Sequence, residues 1–335
     1  MHIVKAAKNI VLKQELILSK TKEFYFYFVI LIILLALIIT FSALSPQFFS
    51  ANNFLNLLRQ LAPNVIAGCG MTYIIASGGI DLSIGALIAV VGVVVAISTT
   101  RVQSLAIVLM IGLSIGLFAG GISGYFIVFH RIPAFIVTLG IMAVLRGIAL
   151  VLTRGFSFPI DPIHSVISLG RGWLVGLPVP VWIAMTTLVL TGAFFNLTQY
   201  GIYTAGIGSN EEAVRRAGVN VKRLRLFLYC FNGLLASLAG IVLAARVGTG
   251  SSYVGQGFEL TVITSVILGG TPLTGGEARL LGTVLGTFLL GLVGNGLVMA
   301  RISPYFSQIA EGGILLISIL ANKQIRGYIQ KWLKI

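Results

Sequence analysis

"VLGTFLLGLVGNGLVMA", residues 284–300, is apolar almost throughout and punctuated by glycine, and "FYFYFVILIILLALIIT", residues 24–40, is apolar without a break. A membrane-crossing strand would alternate apolar and polar residues over about ten positions. Here the apolar character is continuous, and only a helix can satisfy its own backbone inside lipid with such a sequence. Similar runs of about 20 residues, the length a helix needs to cross the hydrocarbon layer, recur along the whole chain. Composition agrees. The 335 residues are 57% hydrophobic and 10% charged, with a mean hydropathy of +1.02, whereas a soluble domain carries about 25% charged residues. The chain reads as an all-α polytopic membrane protein.

Ten spans are expected, near 24–44, 57–77, 82–100, 103–129, 133–153, 178–198, 225–245, 258–276, 279–300 and 304–321. Charge orients them. One set of connections holds Lys5, Lys8, Lys13, Lys20, Lys22, Arg131, Arg215, Arg216, Lys222, Arg223, Arg225, Arg279, Lys323, Arg326, Lys331 and Lys334. The opposite set holds Arg59, Arg101, Arg154, Arg171, Arg246 and Arg301, and no lysine. The positive-inside rule puts the first set, with both termini, in the cytoplasm. The net charge of +14 is then a topology signal and an attraction to anionic lipid, with no nucleic-acid partner. The expected organisation is a basic cytoplasmic segment 1–23, a transmembrane domain 24–321 with a cytoplasmic loop at 199–224, and a basic tail 322–335. The apolar run after residue 23 exceeds the core of a cleavable signal peptide and is expected to stay as the first span.

Enzyme chemistry finds little support. The chain has no G-x-x-x-x-G-K-[ST] phosphate loop, no H-E-x-x-H and no Cys/His metal spacing. "GLSIG" at 112–116 has the form of a hydrolase nucleophile turn but lies inside a span, without the strand–turn–helix setting or a nearby acid. Cys69 and Cys230 read as small apolar packing residues. His2, His130 and His164 fall in terminal, interfacial or loop positions. Gly112, Gly116, Gly120 and Gly124 recur every fourth residue and Gly282 and Gly286 repeat the spacing, which lets one helix approach another closely.

The stretch "ASGGIDLSIGALIAV", residues 76–90, sets a carboxylate among glycines. Glycine costs about 1 kcal/mol in a helix relative to alanine, so Gly78, Gly79 and Gly85 predict a break between the second and third spans. Asp81 would stand at the start of the third, opposing the positive end of its dipole, with Ser83 able to bond exposed backbone. Broken backbone at membrane depth is tolerated only against protein or a watery cavity, so the same residues could shape or gate a path. "GGTPLTGG" at 269–276 has the same G-G-x-x-L-[ST]-x-G form and predicts a second break.

The longest polar insertion is "GIGSNEEAVRRAGVNVKRLR", residues 206–225. Ser209 and Glu212 have capping-box spacing. Glu211 can reach Arg215 and Glu212 can reach Arg216 at i,i+4, and Gly218 suits the left-handed stop. A helix of about two turns is expected. That is short of the 12–15 residues at which an isolated helix becomes even marginal, so it is either an ordinary solvated loop helix or a docking element.

"GGIDLSIG" (78–85), "GSNEEAVRRAGVNV" (208–221) and "ELTVITSVILGGTPLTGGEARLLGTVLGT" (259–287) resemble, in order, the hallmark stretches of ribose-type sugar ABC-importer permeases. "SPQFFSANNFLNLL" (45–58) fits as well, and the likeness extends over roughly 44–323. The resemblance implies a type II-like, ten-helix permease of the bacterial inner membrane that works beside a second permease copy or a related chain. It implies cytoplasmic ABC ATPase subunits that carry ATP and Mg, no cofactor on this chain, and an extracytoplasmic binding protein that delivers the sugar. Ser209, Asn210, Glu211, Glu212, Ala213, Arg215, Arg216 and Gly218 would then form the helix that couples to the ATPase. Thr261 stands where an Asp commonly follows Glu-Leu, and Glu277-Ala278 where a basic-Gly pair is usual, so the resemblance leaves that turn unassigned.

A neutral sugar needs hydroxyl partners more than charges. Candidate path or gate residues are Gly78, Gly79, Asp81, Ser83, Asn64, Glu259, Thr264 and Asn295. Arg146 and Glu311 are the deepest charges and are expected to find partners, either each other or Glu259. A permease of the same superfamily for branched-chain amino acids or another small solute, and a secondary transporter, are the alternative readings.

Overall fold

The computed structural model describes residues 26–303 and 305–333, with side chains through residue 320. The expected basic segment 1–23 lies outside the described residues. The helices are α1 (Phe26–Leu44), α2 (Ala51–Ala76), α3 (Ile84–Thr99), α4 (Leu105–Phe129), α5 (Ala134–Thr153), the one-turn α6 (Ser168–Arg171), α7 (Val179–Leu197), α8 (Gln199–Arg216), α9 (Val221–Val247), α10 (Phe258–Leu268), α11 (Leu280–Met299) and α12 (Tyr305–Leu333). Two small antiparallel ribbons complete the described chain: β1 (Phe158–Pro159) pairs with β4 (Thr249–Gly250), and β2 (Trp173–Leu174) with β3 (Leu177–Pro178).

A helix stands at each of the ten places read as a span. Six of them, α1, α4, α5, α7, α9 and α11, are long and apolar enough to cross a membrane, and α3, α10 and the first part of α12 are shorter apolar helices. The boundaries follow local chemistry. Ser50 accepts from the Asn53 N–H (3.2 Å) and starts α2 six residues before the expected 57, while Asn220 accepts from the Arg223 N–H (3.1 Å) and starts α9. Pro133 precedes α5, and Gly248, at φ +82°, ends α9 in the left-handed conformation.

The centre of the molecule is α9 packed against α2, α3 and α4. Thirteen of the sixteen residues of α3 are buried, so α3 is an internal helix, apolar on every side as such burial requires. The glycine stripe of α4 lies against α9. A side chain at Gly116 would strike the Gly233 carbonyl, and one at Gly120 the Tyr229 carbonyl. Gly282 and Gly286 bring α11 equally close to α10, against Gly269 and Ser265. Large apolar side chains such as Phe118, Val151, Val189 and Ile309 point outward, as a lipid-facing rim does.

Four expectations change. The span read as 258–276 is helical for only 11 residues, because the glycines from 269 onward end it. The loop at 199–224 is itself largely helical. The last helix runs past 321 to Leu333. His164 is buried rather than solvated: its Nε2 sits 2.9 Å from the Val102 carbonyl, and its Nδ1 accepts from the Val166 N–H at 3.1 Å.

Candidate functional site

The two glycine breaks and the polar insertion meet at the end of the bundle that carries Arg215, Arg216, Lys222, Arg223, Arg225 and Arg279. The Gly276 N–H donates to the Ala76 carbonyl at 2.9 Å, joining the second break to the last residue of α2. A methyl on Gly275 would lie 2.9 Å from the Ala76 oxygen, the Gly208 Cα and the Gly78 nitrogen alike. Gly78 and Gly275 have φ of +79° and +78°, a conformation that glycine adopts at no steric cost. Gly208, on α8, would drive any side chain into the Ala76 carbonyl. Three separate stretches of sequence therefore touch through backbone alone.

The first break is pinned from inside. Asp81 is 1% exposed. Its Oδ1 accepts from the Ser83 N–H (2.9 Å) and hydroxyl (2.6 Å), and its Oδ2 accepts from the Asn232 amide (2.9 Å). The expected placement at the start of α3 is seen, with Ser83 as the residue that flanks the helix. Its partner Asn232 is the residue that sequence reading missed. It is fully buried in α9, and the available signal was a lone amide within "FLYCFNGLLASLAG". Gly70 makes room for it, since a side chain there would approach the Asn232 Oδ1 to 2.5 Å. A buried carboxylate requires such donors.

The insertion is built differently from its expected capping box. Helix α8 runs from Gln199 and bends at Asn210, where φ −159° and ψ 94° are extended. Asn210, not Ser209, caps the following turn, and its Oδ1 accepts from the Ala213 N–H at 3.0 Å. Ser209 belongs to the preceding arm and faces Gly276. Glu212 pairs with both Arg215 and Arg216, the latter at 3.0 Å, whereas Glu211 reaches across to Arg225 at 2.9 Å instead of to Arg215. Gly218, at φ +86°, ends the helix as expected, with its N–H donating to the Arg215 carbonyl and that of Val219 to the Val214 carbonyl. That doubled closure is the Schellman arrangement. A groove of about 820 Å³ runs from Glu211 and Arg215 past Lys222 and Arg225 to Ser77, Gly78 and Gly79.

The other candidates are dispersed. Asn64 is half-buried in α2. The Thr264 hydroxyl is buried and donates to the Leu260 carbonyl at 2.7 Å. Asn295 exchanges two amide hydrogen bonds with Asn53, at 2.9 and 3.0 Å, and so clamps α11 to α2. The polar groups of Thr264 and Asn295 are thus already engaged within the fold. Glu259 stands at the start of α10 against Gly85. Arg146 donates to the carbonyls of Ser252 and Val254 (3.0 Å for the latter) and makes no direct ion pair among the described residues, though its charge interacts with that of Glu259; Glu311 accepts from the Thr261 hydroxyl at 2.8 Å. Among the described residues, no three His, Cys, Asp or Glu side chains gather as metal ligands.

Comparison with known proteins gives this arrangement a context. Residues 53–319 match the family described as branched-chain amino acid transport system / permease component. The ribose import permease protein RbsC of Haemophilus influenzae is 36% identical over 295 residues, covering 86% of this chain and 90% of that protein. RbsC of Bacillus subtilis is 34% identical over 291 residues, with 86% and 90% covered. The L-arabinose transport system permease protein AraH of Escherichia coli is 34% identical over 287 residues, with 86% and 87% covered. No solved structure matches the chain significantly. With a family match over most of its length and relatives this similar over most of theirs, the chain belongs to this family of transport-system permease components and is a multi-pass membrane protein.

Proposed function

We propose that the chain is the membrane-spanning subunit of an ABC importer for a monosaccharide, and that it conducts the sugar without performing chemistry on it. Relatives named for ribose and for L-arabinose are about equally similar to it, which supports a pentose-sized sugar over the amino acid in the family description. The basic end of the bundle is cytoplasmic, ten helices take part in crossing the membrane, and both termini lie inside. ATP and Mg belong to separate ATPase subunits. A second permease copy or a related chain completes the pore, and an extracytoplasmic binding protein delivers the sugar to the opposite face.

The observation that carries this reading is the contact of Gly78, Gly208 and Gly275 at one point. A partner that grips Asn210, Glu211, Glu212, Ala213, Arg215 and Arg216 moves a short rod stopped at both ends, by the Asn210 cap and by Gly218. The α8 arm is wedged by Gly208 against both helix breaks, so displacement of the rod reaches α3 through 77–83 and α10 through 269–279. Interiors this closely packed transmit strain rather than absorb it. Gly78, Gly79, Asp81 and Ser83 then act at the cytoplasmic gate. Closure of the ATPase pair drives the rod, and the sugar is released inward when the pair reopens.

The test replaces residues 211–217 with a glycine–serine tether of equal length in the assembled transporter. ATP-dependent sugar uptake in proteoliposomes should fall by about 100-fold or more, the loss expected when coupling between two sites of about 3 kcal/mol is removed. Uptake equal to that of the unsubstituted chain rejects the reading.

A further inference from the structure

Residues 251–257 leave the outer loops and descend alongside α3. Gly250 packs on Gly92 and Val93, and five residues later Gly255 packs on the carbonyl of Gly85. From residue 93 to residue 85, α3 drops by about 12 Å. Asp81 bonds Asn232 and Gly240 lies against Ile88, so Gly85 is level with the middle of the 27-residue helix α9. Non-helical backbone therefore reaches mid-depth, where α10 begins.

A charge holds it there. Arg146, well inside α5, donates to the carbonyls of Ser252 and Val254 and ties the descending segment to that helix. The other side of the segment is open. Tyr253 is 59% exposed, and Gln256 and Gly257 are exposed. Elsewhere at this depth the outward residues are apolar, Val144 and Val189 among them. An exposed amide side chain does not persist against hydrocarbon; it persists where it lines water or is covered by protein.

We propose that residues 252–257 form the sugar-contacting wall of the translocation path, with the Gln256 amide and the Tyr253 ring as its side-chain contacts. This rests on the reading of the chain as a sugar permease and gives that reading its contact residues. The chemistry suits a neutral polyol. An amide offers a donor and an acceptor to vicinal hydroxyls, and an aromatic face accepts the C–H face of a sugar ring. Nothing in this wall bears a charge, so contacts are weak enough for release.

The test uses the complete transporter, ATPase and binding protein included, in proteoliposomes, with Cys69→Ala and Cys230→Ala as background. Gln256→Cys is compared with Val189→Cys, at the middle of α7, both treated with a charged, membrane-impermeant methanethiosulfonate. Only a thiol in water forms the reactive thiolate, so the Gln256→Cys protein should react about tenfold faster or more, ribose should slow the reaction, and modification should block uptake. Separately, Gln256→Ala should lower maximal uptake by about tenfold, the equivalent of one lost hydrogen bond of about 1.4 kcal/mol, with ATPase stimulation by the binding protein retained. Equal reactivity at both positions, or modification that leaves uptake unchanged, overturns the proposal. So does an equal fall in uptake and ATPase stimulation in Gln256→Ala. Failure of the underlying reading looks different: the unsubstituted transporter would then show no ATP-dependent sugar uptake.

Discussion

The stretches 78–85 and 269–276, which make the two breaks, both open on Gly-Gly and both continue to Leu, a hydroxyl residue and a glycine, yet different forces hold them. In the first, the fourth residue is Asp81, buried and bonded to Ser83 and to Asn232 of another helix. In the second, the fourth residue is Pro272, and the turn closes locally: the Gly275 N–H donates to the Pro272 carbonyl at 2.9 Å, and the Thr271 hydroxyl accepts from the Arg279 N–H at 3.0 Å. Its charges, Glu277 and Arg279, lie toward the surface. One break is fixed to the core of the bundle, whereas the other rests on its neighbours. A push from α8 therefore meets a fulcrum at the first and a pad free to shift at the second.

The largest effect that could break this contrast is at Asp81. Asp81→Ala strips the acceptor from three donors in a site with no water-facing side, at a cost of about 3 kcal/mol or more. Thr271→Ala, which removes one local bond, should cost about 1 kcal/mol. Thermal unfolding in detergent ranks the two. Equal losses would make the breaks mechanically alike.

Much of this was legible in the sequence, for identifiable reasons. Continuous apolar runs located the ten helices, and Gly78-Gly79 and Gly269-Gly270 located the breaks, because glycine and span length act locally. The shortness of α10 was only half legible: Gly269-Gly270 mark its end, but "FELTVITSVIL" alone is too short to cross a membrane, so the expected span ran on to 276. The descent of 251–257 was hidden for a different reason: Ser, Tyr, Gly and Gln read as a surface loop, and only Arg146, on a distant stretch of chain, draws them inward. Thr264 and Asn295 show the limit of reading polarity within a span. Composition reveals the polar group but not that Leu260 or Asn53 already occupies it.

The rod of α8 sharpens the contrast at smaller scale. "GSNEE" offers two caps, Ser209 and Asn210, and the choice fell to Asn210 because the residues from Gln199 to Ser209 are themselves helical. Asn210→Ala should cost about 1 kcal/mol of local stability and Ser209→Ala only a few tenths. Hydrogen exchange at the amides of 212–216 reads this directly, with faster exchange expected in the first variant alone.

The smallest effect belongs to Glu277. Its carboxylate meets Arg279 at 2.9 Å with 52% of its own side chain and 20% of its partner's exposed. Exposed pairs contribute about 0–1 kcal/mol and are screened by salt. Arg279 also has other anchors, its guanidinium lying 5.2 Å over the Phe26 ring and its backbone N–H donating to Thr271. Glu277→Gln should therefore shift stability by less than about 0.5 kcal/mol at physiological salt, and what shift there is should vanish as salt rises. A loss near that of Asp81→Ala, insensitive to salt, would mean that charge pins the second break as firmly as the first. The pad would then be a second fulcrum, and motion from α8 would have to pass between two fixed points rather than through one.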